Sequence, residues 1–413
     1  MQGIKKFAAL FMLVFVLAFI GCAADEPIVT YQPDEAIIVE GVYEPLIYEP
    51  PKDEVSIEDE PTFDFIEYWL SQMTLEEKIG QLFVLRLPWQ ATAITTQTEQ
   101  LLTDIPVGGI ILFGDNVQSI AQMQALTAQL QTMSPLPMFI AIDEEGGRVS
   151  RIGRLFGEPT PAAYEIGATN DTAYAREVGQ DIGQRLTTLG INMNFAPIAD
   201  VWSNPSNAVI GNRAFGRTAD VASPMVAATV YGLHDEGIFA VVKHFPGHGD
   251  TYEDSHYMLA IHPHGLERFY QVEVLPFISG IEAGADGVMI AHISTPEIAY
   301  HNGLLPWMEP WIESGLLPAT FSDFWLQDIL RDTLGFDGLI ITDALEMRAL
   351  TDHFTCGQIA LGAFLAGADI LLMPSNPREA FQALLQGYEE GLFTEERLDQ
   401  SLRRILTAKE TIQ

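Results

Sequence analysis

Eight short apolar runs, separated for the most part by helix-like stretches, constrain the fold of this chain more than any other feature. The runs are Leu82 to Leu87, Gly109 to Phe113, Met138 to Asp143, Ile191 to Ala196, Phe239 to His244, Gly287 to His292, Gly338 to Asp343, and Asp369 to Met373. Helical patterns lie at Gln118 to Gln131, Ala173 to Leu189, Ala222 to Asp235, Tyr270 to Ala283 and Cys356 to Leu365. Parallel strands need a long return crossover, so this alternation predicts a parallel sheet covered by helices. Eight units fit a closed (β/α)8 TIM barrel forming a single catalytic domain, and a doubly wound open sheet is the other arrangement of the same parts. Polar residues decide between them. Asp143, Asn194, Lys243 with His244, His292 and Asp343 each end an apolar run. A barrel gathers such ends at one mouth, whereas an open sheet spreads most of them along an edge.

The densest chemistry follows the fifth run, where Lys243-His244-Phe245-Pro246-Gly247-His248-Gly249-Asp250-Thr251 leads into Asp254-Ser255-His256. Ionisable groups collected at a strand exit would cost solvation if buried, and a merely solvated loop has no need of three histidines. Gly247 and Gly249 predict backbone in unusual conformations or close to a ligand. Asp254 lies two residues before His256; in an extended loop the two side chains share a face, and the carboxylate would orient the imidazole and stabilise its protonated form. A zinc site on His244, His248 and His256 is disfavoured, because Pro246 and Gly247 interrupt the helical turn that a His-x-x-x-His pair requires.

Other strand exits add to this set. Asp143-Glu144-Glu145-Gly146-Gly147 puts a carboxylate over the mouth, where it can accept from two adjacent sugar hydroxyls. Neighbouring residues there point in opposite directions, so the three acids are not expected to chelate one ion. Arg213, between Gly211 and Gly216, has two roles open to it: bidentate donor to a substrate oxygen, or ion-pair partner of Asp200. Asp343, at the end of the seventh run, has the placement of a carboxylate nucleophile, which a retaining glycosidase sets about 5 Å from its acid/base.

Together these stretches resemble glycoside hydrolase family 3, in its β-N-acetylhexosaminidase branch. The resemblance rests on the 243–251 and 254–256 segments, with Asp143-Glu-Glu-Gly-Gly-Arg-Val, Asn194-Phe-Ala-Pro, Gly211-Asn-Arg213-Ala-Phe and Thr342-Asp343-Ala344-Leu345 in the expected order, and it runs from about Thr74 to the C-terminus. It implies Asp343 as nucleophile and His256, assisted by Asp254, as general acid/base. It also implies Asp143, Arg151, Arg213, Lys243 and His244 as binders of the terminal sugar. The implied activity is removal of single β-linked N-acetylglucosamine residues from murein or chitin-type fragments, without metal or organic cofactor. Some relatives of this branch are phosphorolytic, and an imidazole base does not repel phosphate as a carboxylate would. Alternatives are a β-glucosidase, against which the Asp-Ser-His triplet argues, and a sugar-binding lipoprotein without turnover. Many relatives carry a second α/β domain; none is expected after the helix at Glu395 to Thr411.

Upstream, Lys5 and Lys6, the apolar run Phe7 to Ile20, and Gly21-Cys22 read as an export signal too short to span a membrane. The end of this segment resembles a bacterial lipobox, although Phe19 replaces the usual Leu. That resemblance implies lipidation of Cys22 and anchorage outside the cytoplasm. Residues 23–61 read as an acidic, proline-punctuated linker, able to hold a domain on the order of 100 Å away if extended, and the folded domain is expected over 62–413. The formal net charge of -35 opposes nucleic-acid binding. Cys356, in an apolar helical context, reads as a small core residue.

Overall fold

The structure, a computed structural model, describes residues 64–296 and 305–412. The export signal, Cys22, the linker and residues 297–304 lie outside the described residues.

All eight apolar runs form strands, which we label β1 (Phe83–Arg86), β2 (Gly109–Leu112), β3 (Phe139–Ile142), β4 (Met193–Asn194), β5 (Phe239–Phe245), β6 (Gly287–Ile290), β7 (Leu339–Thr342) and β8 (Leu371–Leu372). Their hydrogen-bonded order is β8-β1-β2-β3-β4-β5-β6-β7, every pair parallel. A parallel bridge between Ile341 and Ile370, with the Thr342 amide on the Ile370 carbonyl at 3.0 Å, joins β7 to β8 and closes the cylinder. The fold is therefore the (β/α)8 barrel, and the open sheet is excluded. Strands buried on both faces explain the continuous apolar runs, since inward side chains fill the barrel and outward ones meet the helices.

Several local expectations hold. Thr74-Leu-Glu-Glu77 reads as a capping box, and the structure forms it, with the Glu77 amide on Thr74 Oγ1 at 3.2 Å and the Thr74 amide on Glu77 Oε2 at 2.8 Å. Cys356 is buried at the start of the helix Cys356–Ala366. Two expectations need correction. The sequence spacing places Ile79, Leu82 and Phe83 on one face of the helix that this box opens, but that helix ends at Gly80 and Phe83 begins β1, where pairing with β8 buries it. The stretch from Tyr270 to Ala283 is not one α-helix either. Residues Phe269–Glu273 make a π-helical turn before the α-helix Leu275–Glu282, and this turn brings Glu273 against Gly247 in the loop after β5.

The base of the barrel is closed by charge. Asp369, fully buried just before β8, accepts from Arg331 Nη2 at 2.5 Å, Ser401 Oγ at 2.6 Å and the Ile340 amide at 3.0 Å. One carboxylate thus ties the starts of β7 and β8 to the C-terminal helix Glu395–Thr411. Removing it leaves the buried Arg331 cation uncompensated, which typically costs about 3–5 kcal/mol. Asp369→Ala should accordingly lower the urea midpoint of the intact chain without touching the mouth, and an unchanged midpoint would show that this closure contributes nothing.

Candidate active site

Lys243 and His244 are neighbours on a strand, and strict alternation would send one of them away from the mouth. The pairing of β5 with β6 is irregular between Val242 and Phe245, and such a shift re-aims side chains. Lys243 points inward and is almost wholly buried, its Nζ 2.6 Å from Asp143 Oδ1 and 2.7 Å from Glu145 Oε1. Glu145 also accepts Arg213 Nε at 2.8 Å and Nη2 at 2.9 Å. Burial alone would raise the Glu145 carboxyl, but the two cations outweigh it and hold the group far below the usual carboxylate range. In return Lys243 and Arg213 are raised: burial opposes their charge, and Asp143 with Glu145 overcomes it for the lysine, Glu145 foremost for the arginine.

The three adjacent acids divide as extended backbone requires. Asp143 and Glu145 converge on Lys243, while Glu144 turns into the loop behind and accepts from Ser150 Oγ at 2.5 Å and the amides of Arg151 and Ile152 at 2.6 and 2.9 Å. Arg151 approaches Asp143 from the other side, Nη2 to Oδ2 at 3.9 Å, its guanidinium lying over the Phe113 ring at 5.6 Å.

Arg213 does not pair with Asp200. Asp200, fully buried, belongs to the histidines: its Oδ2 lies 2.7 Å from His244 Nδ1 and its Oδ1 accepts the His248 amide at 2.6 Å. Burial would raise its carboxyl, and His244 and His248 bring it below the ordinary value. The ion pair open to Arg213 was a real one, but with Glu145, because the loop after β4 directs the guanidinium toward β3. Arg148 holds that loop through the carbonyls of Ala208, Val209 and Ile210.

Asp343 sits just past β7, its amide on the Ile290 carbonyl at 3.0 Å and its Oδ1 accepting the Ala344 amide at 2.7 Å. Burial works to raise its carboxyl; the imidazoles of His244 and His292, the Ala344 amide and His256 prevail and bring it down to about 2. At any pH near neutrality Asp343 is an anion. His292 stands beside it with Nε2 donating to the Ala344 carbonyl at 3.0 Å and Nδ1 2.6 Å from Thr320 Oγ1.

Asp254 and His256 meet as expected, Nδ1 to Oδ1 at 2.7 Å, but through a turn and not an extended loop. The Asp254 carbonyl accepts the amides of Tyr257 and Met258, and the same Oδ1 also takes the His256 amide at 2.9 Å. A carboxylate can only accept, so Nδ1 carries a proton and Nε2 is the atom left to gain or lose one. The side chain is more than half exposed. Beside it a cavity of about 250 Å³ opens between Arg148, Val209, Arg213, Tyr252, Asp254 and His256.

The three histidines of the loop do not converge. His244 is bound to Asp200, His256 to Asp254, and His248 to Thr251 and Ser255. Among the described residues, the group with cation-binding spacing is Asp250, His262 and Glu273, and there Arg268 already supplies a positive charge 3.0 Å from Glu273 Oε1. Of the two glycines, Gly247 has the unusual backbone, φ 131°, whereas Gly249 lies against other backbone and not a ligand: a Cβ would come 1.8 Å from the Val201 carbonyl oxygen. Every residue predicted for catalysis or sugar binding therefore lies at or beside the mouth, and Cys22 falls outside the described residues. Glu145, Asp200 and His292 were missed as site residues. The spacing of two between Asp143 and Glu145 was the available signal for the first, and position at a run's end for His292.

Glu145→Gln removes the anion shared by two buried cations. The variant is expected to lose about 3–5 kcal/mol in chemical denaturation and to bind sugar poorly through misplacement of Lys243; native-like stability would show that Lys243 and Arg213 need no shared partner.

Residues 74–408 match the model of the glycosyl hydrolase family 3 N terminal domain. Among curated relatives, the chain is 38% identical over 336 residues to a beta-hexosaminidase A of Pseudoalteromonas piscicida, covering 77% of this chain and 56% of that protein. It is 36% identical over 303 residues to a beta-hexosaminidase of Stenotrophomonas maltophilia, covering 71% of this chain and 84% of that protein. Among solved structures, the glycoside hydrolase family 3 beta-N-acetylglucosaminidase of Paenibacillus sp. str. FPU-7 superposes with a TM-score of 0.75 at 38% identity, over 82% of this chain and 63% of that one. The chain thus spans little more than half the length of the first of these relatives. With the barrel closed and the family motifs gathered at its mouth, the chain belongs to glycosyl hydrolase family 3.

Proposed function

We propose that the protein is a retaining exo-β-N-acetylglucosaminidase acting on murein or chitin-type fragments. The observation that carries the reading is the pairing at one barrel mouth of an anion held to about 2, Asp343, with an exposed, carboxylate-oriented imidazole, His256, whose charge is among those that hold it there. The beta-hexosaminidase and beta-N-acetylglucosaminidase activities of the relatives support the acetamido sugar as substrate.

In the first step an Asp343 oxygen attacks the anomeric carbon as the glycosidic C–O bond breaks, and the leaving oxygen takes the proton from His256 Nε2. In the second, His256, now neutral, removes a proton from water as its oxygen attacks the anomeric carbon and frees Asp343. Asp254 stabilises the imidazolium at the start of each cycle through Nδ1. The terminal sugar is held by Asp143, Arg151, Lys243 and His244. Lys243 keeps one donor beyond its two carboxylates, and His244 presents Nε2 because Nδ1 is occupied by Asp200. Arg213 belongs with them, because three of its five N–H groups are engaged and two remain for a sugar oxygen. Its Nε and Nη2 donate to Glu145 and its Nη1 to the Val209 carbonyl, which fixes the guanidinium at the mouth.

Release of an aryl group from β-N-acetylglucosaminide and β-glucoside substrates, with and without phosphate, tests this directly. Turnover of the acetamido sugar to free sugar is expected, with a loss in Asp343→Ala of at least about 10³-fold, as for removal of a covalent nucleophile. A sugar phosphate as product would make the enzyme a phosphorylase, and silence on both sugars from folded protein would favour a sugar-binding lipoprotein.

Export and lipid anchorage at Cys22 form part of the same proposal, supported by the order Lys5-Lys6, the apolar run 7–20 and Gly21-Cys22. Cys22→Ala should move the protein from the membrane to the soluble fraction of expressing bacteria; equal membrane recovery of both forms would rule the anchor out.

A further inference from the structure

His256 is exposed, yet the residue before it is almost completely buried. Ser255 Oγ lies 2.9 Å from Nε2 of His248, an imidazole that is itself 1% exposed. The other nitrogen of that ring, Nδ1, is 2.7 Å from Thr251 Oγ1, and its backbone amide donates to Asp200 Oδ1 at 2.6 Å. Asn207, on the loop after β4, donates to the His248 carbonyl at 2.7 Å. His248 therefore has no freedom to move with the exposed part of the loop. Between His248 and Ser255 the chain turns outward at Tyr252, which is 73% exposed, while Gly249 and Thr251 stay buried.

A second attachment starts from the other side. The Arg348 amide donates to the His256 carbonyl at 3.3 Å and the Ala349 amide to the Ser255 carbonyl at 3.4 Å. Both donors belong to the short segment that follows Asp343. Ser255 is thus joined through its side chain to the strand exit that carries Lys243 and His244, and through its backbone to the loop that carries the nucleophile. Neither attachment touches the imidazole of His256.

We propose that Ser255, held by His248, is the positioning residue that sets His256 Nε2 against the glycosidic oxygen, with Asp200 linking this anchor to the sugar-binding His244. The inference rests on the assignment of His256 as acid/base. Its physical basis is order. A side chain on an exposed turn samples many positions, and proton transfer demands hydrogen-bond reach of one oxygen. The buried hydroxyl fixes the turn one residue from the imidazole at no cost in the solvent access that His256 needs to exchange protons. Burial keeps His248 itself mostly neutral, pushed down to about 4, so its ring offers Ser255 a fixed neutral partner over the working range.

The effect should be confined to steps that need the acid. In the full chain, kcat/KM for aryl β-N-acetylglucosaminides reports the first bond-breaking step, and the dependence on leaving-group acidity reports how much proton transfer helps. His256→Ala should steepen that dependence. Ser255→Ala should steepen it too, losing roughly 10- to 100-fold on a poorly acidic phenol, part of the 10²- to 10⁴-fold that general acids supply, and only about 3-fold or less on dinitrophenol, which leaves unassisted. Ser255→Thr, which retains the hydroxyl, should recover most of the loss; if the alanine variant does not fold, Ser255→Cys, with a weaker donor, gives the same reading. Equal losses on both leaving groups, or none on either, with His256→Ala still steepening the plot, would overturn the positioning role alone. If His256→Ala leaves the slope of the wild type, the acid/base assignment fails and the inference with it.

Discussion

One buried carboxylate, Glu145, shared between Lys243 and Arg213, organises the mouth of this barrel. A lysine with 2% of its surface exposed is costly unless its charge is met, and Asp143 alone would leave Arg213 without an anion. The sharing fixes three side chains from three strand exits at once, β3, β5 and the loop after β4. It also leaves Asp143 half engaged, paired with Lys243 on one oxygen and only approached by Arg151 on the other. That is what a group binding sugar hydroxyls needs: a defined position with unused acceptor capacity.

A second network, centred on Asp200, orders the histidines. It holds His244 by a ring nitrogen and His248 by its amide, and thereby sends two imidazoles that the sequence sets close together to different surroundings, His244 on Asp200 and His248 on Thr251 and Ser255. Opposite charges are thus sorted at the mouth. The imidazoles of His244, His292 and His256 and the Ala344 amide face Asp343 closely enough to keep it ionised, although the chain as a whole carries a formal charge of -35. Local pairing at short range outweighs that distant field, which solvent and salt screen.

Much of this was legible before any fold was considered. The eight apolar runs became the eight strands because parallel strands buried on both faces leave a continuous pattern, and the Asp254–His256 contact was legible because it is local. Readings failed where a residue's partner is distant in the chain. Arg213 has acids at 145 and 200 within reach of any reasonable loop path, and sequence spacing contains no term that favours one. Leu82 and Phe83 continue an apolar helical spacing, yet the ladder with β8 takes Phe83 into the sheet. The Tyr270 to Ala283 helix reads as continuous, and only packing against Gly247 accounts for where its π-helical turn delivers Glu273.

By itself the sequence determined the alternation of buried strands and amphipathic helices, the candidates for nucleophile, acid/base and sugar-binding side chains through their family motifs, and the dyad of Asp254 with His256, since each depends on residue type and near-neighbour spacing. Only the tertiary structure decided which anion each cation would share, that Asp200 would serve the histidines, and that His248 would anchor Ser255 where it does. These outcomes rest on the irregular register of β5 on β6 and on loops from separate strands meeting over one mouth. Such contacts are decided by strand closure and burial, which act between residues 40 to 100 positions apart and leave no periodic trace in the chain.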